Sequence, residues 1–478
     1  MRVVLVSTYD LTGGANRAAY RLLQGLRAAG EDCSMLVREK FSADRDVQRV
    51  ARDTGPLAKQ REREAGRIHE ECVQQHRTEM SNTWFSLPVP GYDLSRHERI
   101  QRADVIHLHW VSHLLSPWSI GELQKLGPPV LWTLHDQRPF TGGCHYSAGC
   151  RRFEMDCQPC PQLGLANFAL TGASLRESLQ FIGRNLVVVC PSRWMGECAR
   201  RSAVFKGARI EIIPNGIDTD VFKPRRAAAR KDLGFDPAGV YLLAGADNDK
   251  ERRKGFPILH EAIRICLAQP PFREAVMRRQ VSLVFFGNAK PLMDLSFPAQ
   301  WLGRFDSEEE LAKVYAACDA YLLPSAEDNL PNTVLESLCS GTPVVGFEVG
   351  GVPDAIEHGE NGLLVPAGDA EQLARAIQRF VTSSELRRKL TEGCSAQCRA
   401  RFSLAEQARR HRELYEELCR SSQAASPLEP ALPVQPLAPF GQTFGTFYPA
   451  LCRRAKNERL KKRWRSFCGR FKFQSSNS

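Results

Sequence analysis

The sequence lacks long hydrophobic runs. None of its apolar stretches reaches the roughly eighteen residues that a membrane-spanning helix needs, so we expect no such helix. The apolar stretch that begins at Val3 is too short for a secretory signal, and Arg17 and Arg21 follow it closely. We therefore expect the chain to stay in the cytoplasm.

A regular disulfide framework and a divalent-cation motif are also missing. Most of the 16 cysteines are scattered singly, as Cys33 and Cys190 are. This pattern is typical of reduced thiols in protein cores and argues against a secreted, disulfide-rich protein. One cluster of cysteines departs from the pattern and is considered below.

Acidic residues are scarce near the C-terminus. The net charge is +11, and the segment 451–473 holds ten Lys and Arg residues against Glu458 alone. Trp464, Phe467 and Phe471 are interleaved with these charges. Such a basic, aromatic tail (451–478) favours an anionic membrane surface. A solvated tail is the second interpretation, and we expect no nucleic acid as a partner.

Short apolar strands alternate with amphipathic helices along most of the chain. Ala320–Leu323 is apolar on consecutive positions, and Val105–Leu108 is so except at His107, as strands buried on both faces of a parallel sheet are. The alternation predicts doubly wound α/β domains. We place two of them, at 1–213 and 214–420, with a polar insertion at 40–100. A final helix, 402–419, returns towards the first domain, and a Pro-rich linker (421–450) precedes the tail.

Two loops that follow predicted strands carry candidate phosphate-binding groups. Gly13 and Gly14 stand between the first strand and a helix, where backbone N–H groups and the helix dipole attract anions. Gly245 ends the first strand of the second domain, and Arg253 and Lys254 follow it at the sheet edge where such folds bind ligands. By themselves these features also fit a tight turn and a solvated charged loop.

A third loop carries two carboxylates at a suggestive spacing. The segment 324–346 runs PSAEDNLPNTVLESLCSGTPVVG, and Asp328 precedes Glu336 by eight residues. Asp328 should lie beside the helix N-terminus and Glu336 inside the helix. One carboxylate could then reach a sugar and the other a ribose. An N-capping acid and a surface glutamate are the structural alternative.

This segment resembles the donor-site signature of glycosyltransferase family 4. Gly341, Pro343 and Val344-Val345 match it, as do the later Gly350-Gly351-Val352-Pro353-Asp354 and Asn361–Val365. The resemblance implies an α/β GT-B fold, with two Rossmann-like domains facing across a cleft and a basic C-terminal tail. It also implies a retaining enzyme that moves a sugar from a nucleotide-diphosphate sugar to a saccharide or lipid-linked saccharide acceptor. The Asp-Asn-Leu-Pro-Asn-Thr form resembles a subgroup that acts in exopolysaccharide assembly.

Individual roles follow from the same resemblance. His135 at the end of Trp132–His135 would contact the donor sugar, with His107 and His109 as competitors for an acceptor-side role. The catalytic set would be His135, Asp328, Glu336 and Lys254. The donor-binding set would be Gly13, Gly14, Gly245, Arg253, Lys254, Asn329, Leu330, Pro331, Asn332, Thr333 and Glu336. Base contacts would come from Phe286-Gly287 and Gly303–Phe305, and no metal would be required for the chemistry.

Two departures from the family pattern keep other functions open. The first carboxylate is an Asp rather than a Glu, and Ala246 stands where many members have an Arg that Arg252 or Arg253 would have to replace. A nucleotide-sugar 2-epimerase of the same architecture is one alternative. An inactive sugar-nucleotide-binding or scaffold protein is another.

Four cysteines cluster directly after His135, in the Cys-rich loop 141–162. Cys144, Cys150, Cys157 and Cys160 have the spacing Cys-x5-Cys-x6-Cys-x2-Cys. Four thiolates can close a tetrahedral structural zinc site, which would order this loop. Unrelated thiols and redox-sensitive pairs are the alternatives.

Overall fold

A computed structural model describes residues 1–89, 91–164, 170–246, 251–287, 299–421, 431–436 and 438. The basic tail and most of the predicted linker lie outside these residues. No helix in the described ranges is both long and apolar enough to cross a membrane.

The first lobe is built on a fully parallel sheet. In the described residues it has seven strands, in the order β3-β2-β1-β4-β5-β6-β7. They are β1 (Arg2–Tyr9), β2 (Asp32–Glu39), β3 (Val47–Arg49), β4 (Val105–Leu108), β5 (Val130–Thr133), β6 (Val187–Cys190) and β7 (Arg209–Ile212). Every residue of β4, β5 and β6 is buried, as their consecutive apolar residues predicted.

Helices cover both faces of this sheet. They are α1 (Gly14–Ala28), α2 (Pro56–Cys72), α3 (Glu98–Gln101), α4 (Pro117–Gln124), α5 (Leu170–Phe181) and α6 (Arg193–Arg201). The helix α1 buries an apolar stripe that includes Ala19, Leu22 and Leu26. Part of the predicted insertion belongs to the sheet itself, because β3 is its edge strand. The helix α2 covers a small separate core that includes Ile68 and Phe85.

The second lobe repeats the same topology. In the described residues its parallel sheet has the order β10-β9-β8-β11-β12-β13. The strands are β8 (Val240–Ala246), β9 (Val281–Gly287), β10 (Ala299–Trp301), β11 (Ala320–Leu323), β12 (Val344–Phe347) and β13 (Gly362–Val365). The helices after α7 (Arg226–Leu233) are α8 (Phe256–Ala268), α9 (Pro270–Met277), α10 (Glu308–Ala317), α11 (Asn332–Cys339), α12 (Ala370–Thr382), α13 (Ser384–Phe402) and α14 (Leu404–Ser421).

In each sheet the chain adds strands first on one side of its initial strand, β1 or β8, and then on the other side. The strand order therefore reverses next to that strand. Crevices at such reversals, at the carboxyl ends of the strands, are where open α/β sheets bind ligands. The two lobes therefore have the Rossmann-like architecture that the sequence predicted.

The end of the chain returns to the first lobe. The helix α14 packs against α1, and its Tyr415 and Leu418 join the core of the first lobe. Part of the predicted linker also lies there: Gln435 exchanges backbone hydrogen bonds with residues 51 and 53, and Ala438 donates to the carbonyl of Gly91. Residues 431–436 and 438 thus cover the first lobe instead of separating it from the tail.

Candidate active site

The loop between β11 and α11 places Asp328 at the centre of the cleft. Asp328 is 5% exposed, and its Oδ2 lies 2.8 Å from Lys254 Nζ and 3.2 Å from an Arg253 guanidinium nitrogen. Tyr146 of the first lobe donates its hydroxyl to Oδ1 at 3.3 Å. Burial pushes the pKa of Asp328 up, but Lys254 and Arg253 outweigh it and hold that pKa at about 2. The carboxylate is therefore ionised at neutral pH and paired with both cations.

The short 3₁₀ turn Arg252–Lys254 brings these cations to the loop. Gly255 ends the turn with φ of 70°, and a Cβ there would lie 1.7 Å from the carbonyl oxygen of Pro324. Only glycine allows this approach between the two loops. The backbone N–H of Ala326 also donates to the carbonyl of Arg253 at 2.7 Å. The cations are thus held by backbone contacts as well as by Asp328.

Glu336 lies in α11 and is bound to the first lobe by an arginine. Its Oε1 accepts a hydrogen bond from Arg21 of α1 at 2.8 Å, and Arg21 also pairs with Glu308 at 2.8 Å. Arg21 is 1% exposed and Glu336 is 3% exposed. A buried guanidinium therefore occupies one of the two carboxylates that were expected to reach a sugar or a ribose.

His135 faces this loop from the end of β5. Asn329 donates its side-chain amide to the backbone carbonyls of Leu134 at 3.0 Å and of His135 at 3.2 Å, across the cleft. The His135 Nε2 lies 3.1 Å from Nδ1 of His109, so one of the two rings donates and the other accepts. Burial lowers the pKa of His135 to about 4, so its ring is neutral at pH 7. The tautomers of the His109 and His135 rings are therefore coupled to each other.

The other predicted donor-site residues divide into two groups. Gly13 caps α1 with φ of 80°, and the Asn332 side chain donates to the Gly14 carbonyl at 2.9 Å, so this turn meets the N-terminus of α11. Leu330, in contrast, packs into the core of the second lobe, and Gly245 lies within β8. These two can offer only backbone groups to a ligand.

Pro331 and Thr333 stand at the start of α11, half-buried. Phe286-Gly287 and Gly303–Phe305 also come together, because the N–H of Gly287 donates to the carbonyl of Gly303 at 3.0 Å. Residues 247–250 lie outside the described residues. The role predicted for the loop after Ala246 therefore stays a prediction.

The glycine pair at 350–351 packs against the loop between β11 and α11, which we call the donor loop. A Cβ at Gly350 would lie 1.7 Å from the carbonyl oxygen of Asp328, and one at Gly351 would lie 2.2 Å from that of Asn329. This close approach explains why two glycines stand at these positions.

The Cys-rich loop contributes an arm to the cleft, and this arm contacts the loop between β11 and α11. The N–H of Ala148 donates to Glu327 at 3.0 Å, and the Tyr146 ring lies 4.3 Å from the Arg253 guanidinium. Outside this loop, the backbone carbonyl of Asn82 accepts a hydrogen bond from the backbone N–H of Arg253 at 3.2 Å. The four cysteines line one cavity at the base of this arm. No group of three or more His, Cys, Asp or Glu side chains in the described ranges is arranged to hold a metal ion.

Comparison with known proteins identifies the architecture. Residues 12–221 match the family profile described as Glycosyltransferase Family 4, and residues 240–383 match the profile described as Glycosyl transferases group 1. The two lobes therefore belong to these two glycosyltransferase domain families, and the chain has the GT-B fold. The two matches fall on the two lobes, and the predicted fold is confirmed.

The curated relatives match this chain over part of their length. The D-inositol 3-phosphate glycosyltransferase of Saccharomonospora viridis is 32% identical over 197 residues, which are 38% of this chain and 44% of that protein. Its counterpart in Corynebacterium kroppenstedtii is 35% identical over 223 residues, 44% of this chain and 49% of that protein. The chain spans about half the length of the curated relatives it matches.

Solved structures cover far more of the chain. The sucrose-phosphate synthase from Thermosynechococcus elongatus superposes with a TM-score of 0.60 at 21% identity, over 88% of this chain and 99% of that one. Anabaena HepE in complex with UDP and glucose gives 0.58 at 16% identity, over 87% and 99%. At such identities these similarities establish the GT-B fold alone.

Arg21 is the site residue that sequence reasoning missed most clearly. It lies next to Leu22 and Leu23 on the buried face of α1, where an arginine needs a charged partner. A charged residue inside an apolar stripe is a signal that the sequence does contain. Its two partners, however, belong to the other lobe, and the sequence gives no means to name them.

Proposed function

We propose that this protein is a retaining glycosyltransferase that transfers a sugar from a nucleotide-diphosphate sugar to a saccharide or lipid-linked saccharide acceptor in polysaccharide biosynthesis. The observation that supports this most is the convergence of Arg253, Lys254 and Asp328 at the donor loop, with His135 facing them. A diphosphate needs such paired cations, and they stand at the sheet edge where α/β folds bind nucleotides.

The donor would exchange contacts with groups that now bind each other. Its diphosphate would take Arg253 and Lys254 in place of Asp328, and its ribose hydroxyls would bind Glu336 in place of Arg21. The neutral ring of His135 would hydrogen-bond the sugar. UDP-sugars are the first donors to test, because UDP and UDP-glucose are bound in the crystal structures of Anabaena HepE.

The acceptor would enter from the first lobe. A pocket beside His135 is lined by Trp110, Trp132 and Arg138, a mixture of aromatic and polar groups that suits a sugar ring. Both tryptophan N–H groups already donate within the protein, to Asp136 and to the His109 carbonyl. Their ring faces, and not these N–H groups, would contact the acceptor.

Transfer with retention requires attack on the face from which the diphosphate leaves. We favour a front-face reaction through an oxocarbenium-like state, in which the leaving phosphate takes the acceptor proton. Lys254 and Arg253 would stabilise the charge that develops on that phosphate. Asp328 is poorly suited as a covalent nucleophile while two cations pair with it, and it would act electrostatically instead.

Ligand binding and product analysis test the proposal. Nucleotide sugars should raise the melting temperature of the wild type, because a ligand that binds only the folded state stabilises it. The Glu336→Gln variant should lose most of this shift, whereas Glu309→Gln, a change in the first turn of α10, should keep it. The sugar should then appear on an acceptor with retained anomeric configuration. No stabilisation by UDP- or GDP-sugars at millimolar concentration would contradict the assignment, and an epimerised free sugar would indicate an epimerase.

We also propose that the basic tail, residues 451–478, binds an anionic surface at the cytoplasmic face of the membrane. Each basic residue near such a surface contributes about 1 kcal/mol, and lipid-linked acceptors reside there. The full chain should pellet with phosphatidylserine vesicles and a chain ending at residue 450 should not. Equal pelleting of the two chains would exclude this role.

A further inference from the structure

The Cys-rich loop has little regular structure to hold it. In the described part of 141–164, the single helical element is the 3₁₀ turn Arg152–Glu154. Cys157 has φ of 57°, a conformation that costs a non-glycine residue energy and persists where other contacts enforce it. The cavity lined by the four cysteines encloses about 20 Å³, which suffices for one particle of the size of a water molecule.

The sulfur atoms in this cavity already have hydrogen-bond donors. Three of the four accept backbone N–H groups. The pairs are Gly142 N with Cys157 Sγ (3.2 Å), Arg152 N with Cys150 Sγ (3.5 Å), and Gln162 and Leu163 N with Cys160 Sγ. In the last two turns a donor stands two residues after the cysteine. Donors of this kind stabilise thiolates and orient them as metal ligands.

Positive charge surrounds the same cavity. Arg77 and Arg138 lie within electrostatic range of Cys144, and Arg152 lies within range of Cys160. Four thiolates around a divalent ion carry a net charge of minus two, which buried surroundings tolerate only with compensation. The arginines provide it.

We propose that Cys144, Cys150, Cys157 and Cys160 bind one zinc ion in a tetrahedral, four-thiolate structural site. The described residues show no metal-ligand group already in place. Binding must therefore turn the thiol side chains into the cavity that they line, to Zn–S distances of about 2.3 Å.

Such a site would control the cleft as well as the loop. Cys144 and Cys150 flank the arm whose Tyr146 contacts Asp328 and whose Ala148 contacts Glu327. An ion bound to both cysteines fixes the two ends of that arm. The metal thus positions first-lobe groups against the donor loop without contacting the substrate.

Metal content gives the test that does not depend on the proposed function. The full chain is purified under reducing conditions, loaded with zinc, freed of excess metal and analysed by mass spectrometry for zinc and iron. The wild type and Cys419→Ser, a control outside the cluster, should hold one zinc per chain. The double variant Cys150→Ser, Cys160→Ser should hold none in stoichiometric amount. Cobalt in place of zinc should give the visible bands of a tetrahedral thiolate site in the wild type and in Cys419→Ser, but not in the double variant.

A wild type without stoichiometric zinc, or with iron in its place, would overturn the proposal, and neither result requires the variants to fold. Four thiols that react freely with a thiol reagent in the zinc-loaded wild type would also overturn it. If the site acts on the cleft as inferred, removal of zinc by a chelator should weaken nucleotide-sugar binding, and added zinc should restore it. A zinc-loaded wild type that binds no nucleotide sugar would instead contradict the proposed function and leave the zinc site standing.

Discussion

Glu177 offers a quantitative test of how the first lobe tolerates a buried carboxylate. It lies on α5 and is 1% exposed, and neither of its carboxylate oxygens has a hydrogen-bond partner among the described residues. Burial raises the pKa of Glu177 to about 7 from the ordinary 4.5, although the nearby Arg138 opposes the rise. The substitution Glu177→Gln removes the titration and nearly preserves the shape of the side chain.

The change in the stability of the wild type with pH follows, in size and direction, from these two pKa values. Below pH 4.5 the carboxyl is protonated in both the folded and the unfolded chain, and the charge costs nothing. As the pH rises towards 7, the unfolded chain releases the proton first, so the folded chain loses stability until the folded pKa is passed. At about 1.4 kcal/mol per pH unit, the loss totals about 3 kcal/mol.

Urea unfolding from pH 4.5 to 8 measures this loss. The free energy of unfolding of Glu177→Gln, minus that of the wild type, should rise by about 3 kcal/mol across this range. A buried amide adds an offset that does not vary with pH. Glu385→Gln, an exposed change, controls for the substitution itself. A difference that stays flat between pH 4.5 and 8 would refute the assigned pKa.

Three further substitutions test the cleft. Lys254→Ala should lower kcat by about 10²–10³, since loss of one group that stabilises developing charge costs about 2.7–4 kcal/mol. Near-normal turnover in steady-state kinetics would contradict this role. The variant should lose far more turnover than stability, because Asp328 still pairs with Arg253. Gly255→Ala should destabilise more than Gly234→Ala in urea unfolding, because both have φ near 70° but only the first brings a Cβ within 1.7 Å of a backbone oxygen; equal effects would show that conformational strain alone matters. Arg21→Met should cost about 3–5 kcal/mol by the same measurement, because it leaves Glu336 buried and unpaired. The double variant Arg21→Met, Glu336→Gln should be more stable than Arg21→Met alone. A double variant that is less stable than Arg21→Met would contradict the pairing of Arg21 with Glu336.

The sequence predicted the architecture because the signals for it are local. The strands Val105–Leu108 and Ala320–Leu323 have in the structure the bounds that their apolar runs indicated. The helix that was expected to carry Glu336 is also present, as Asn332–Cys339. Burial on both faces of a parallel sheet requires consecutive apolar residues, and the alternation with helices requires parallel pairing. The strand β3 escaped prediction since its three residues include only Val47 as a buried apolar residue.

The composition of the donor loop was also accessible, but its contacts were not. Asp328, Glu336 and Lys254 could be named from spacing and resemblance. Their partners Tyr146 and Arg21 come from the other lobe, with Arg21 lying 315 residues from Glu336 along the chain. Periodicity shows which side of a helix is buried, not which element lies against it.

The sequence by itself thus determined two parallel-sheet lobes and the loops at the ends of their strands, since apolar periodicity and turn chemistry act over a few neighbouring residues. The tertiary structure alone decided which of the charges in these loops neutralise one another, that residues 431–436 lie against the first lobe, and that the arm of the Cys-rich loop contacts Asp328 and Glu327. Those outcomes depend on how distant surfaces meet, and that is settled only by the packing of the whole chain.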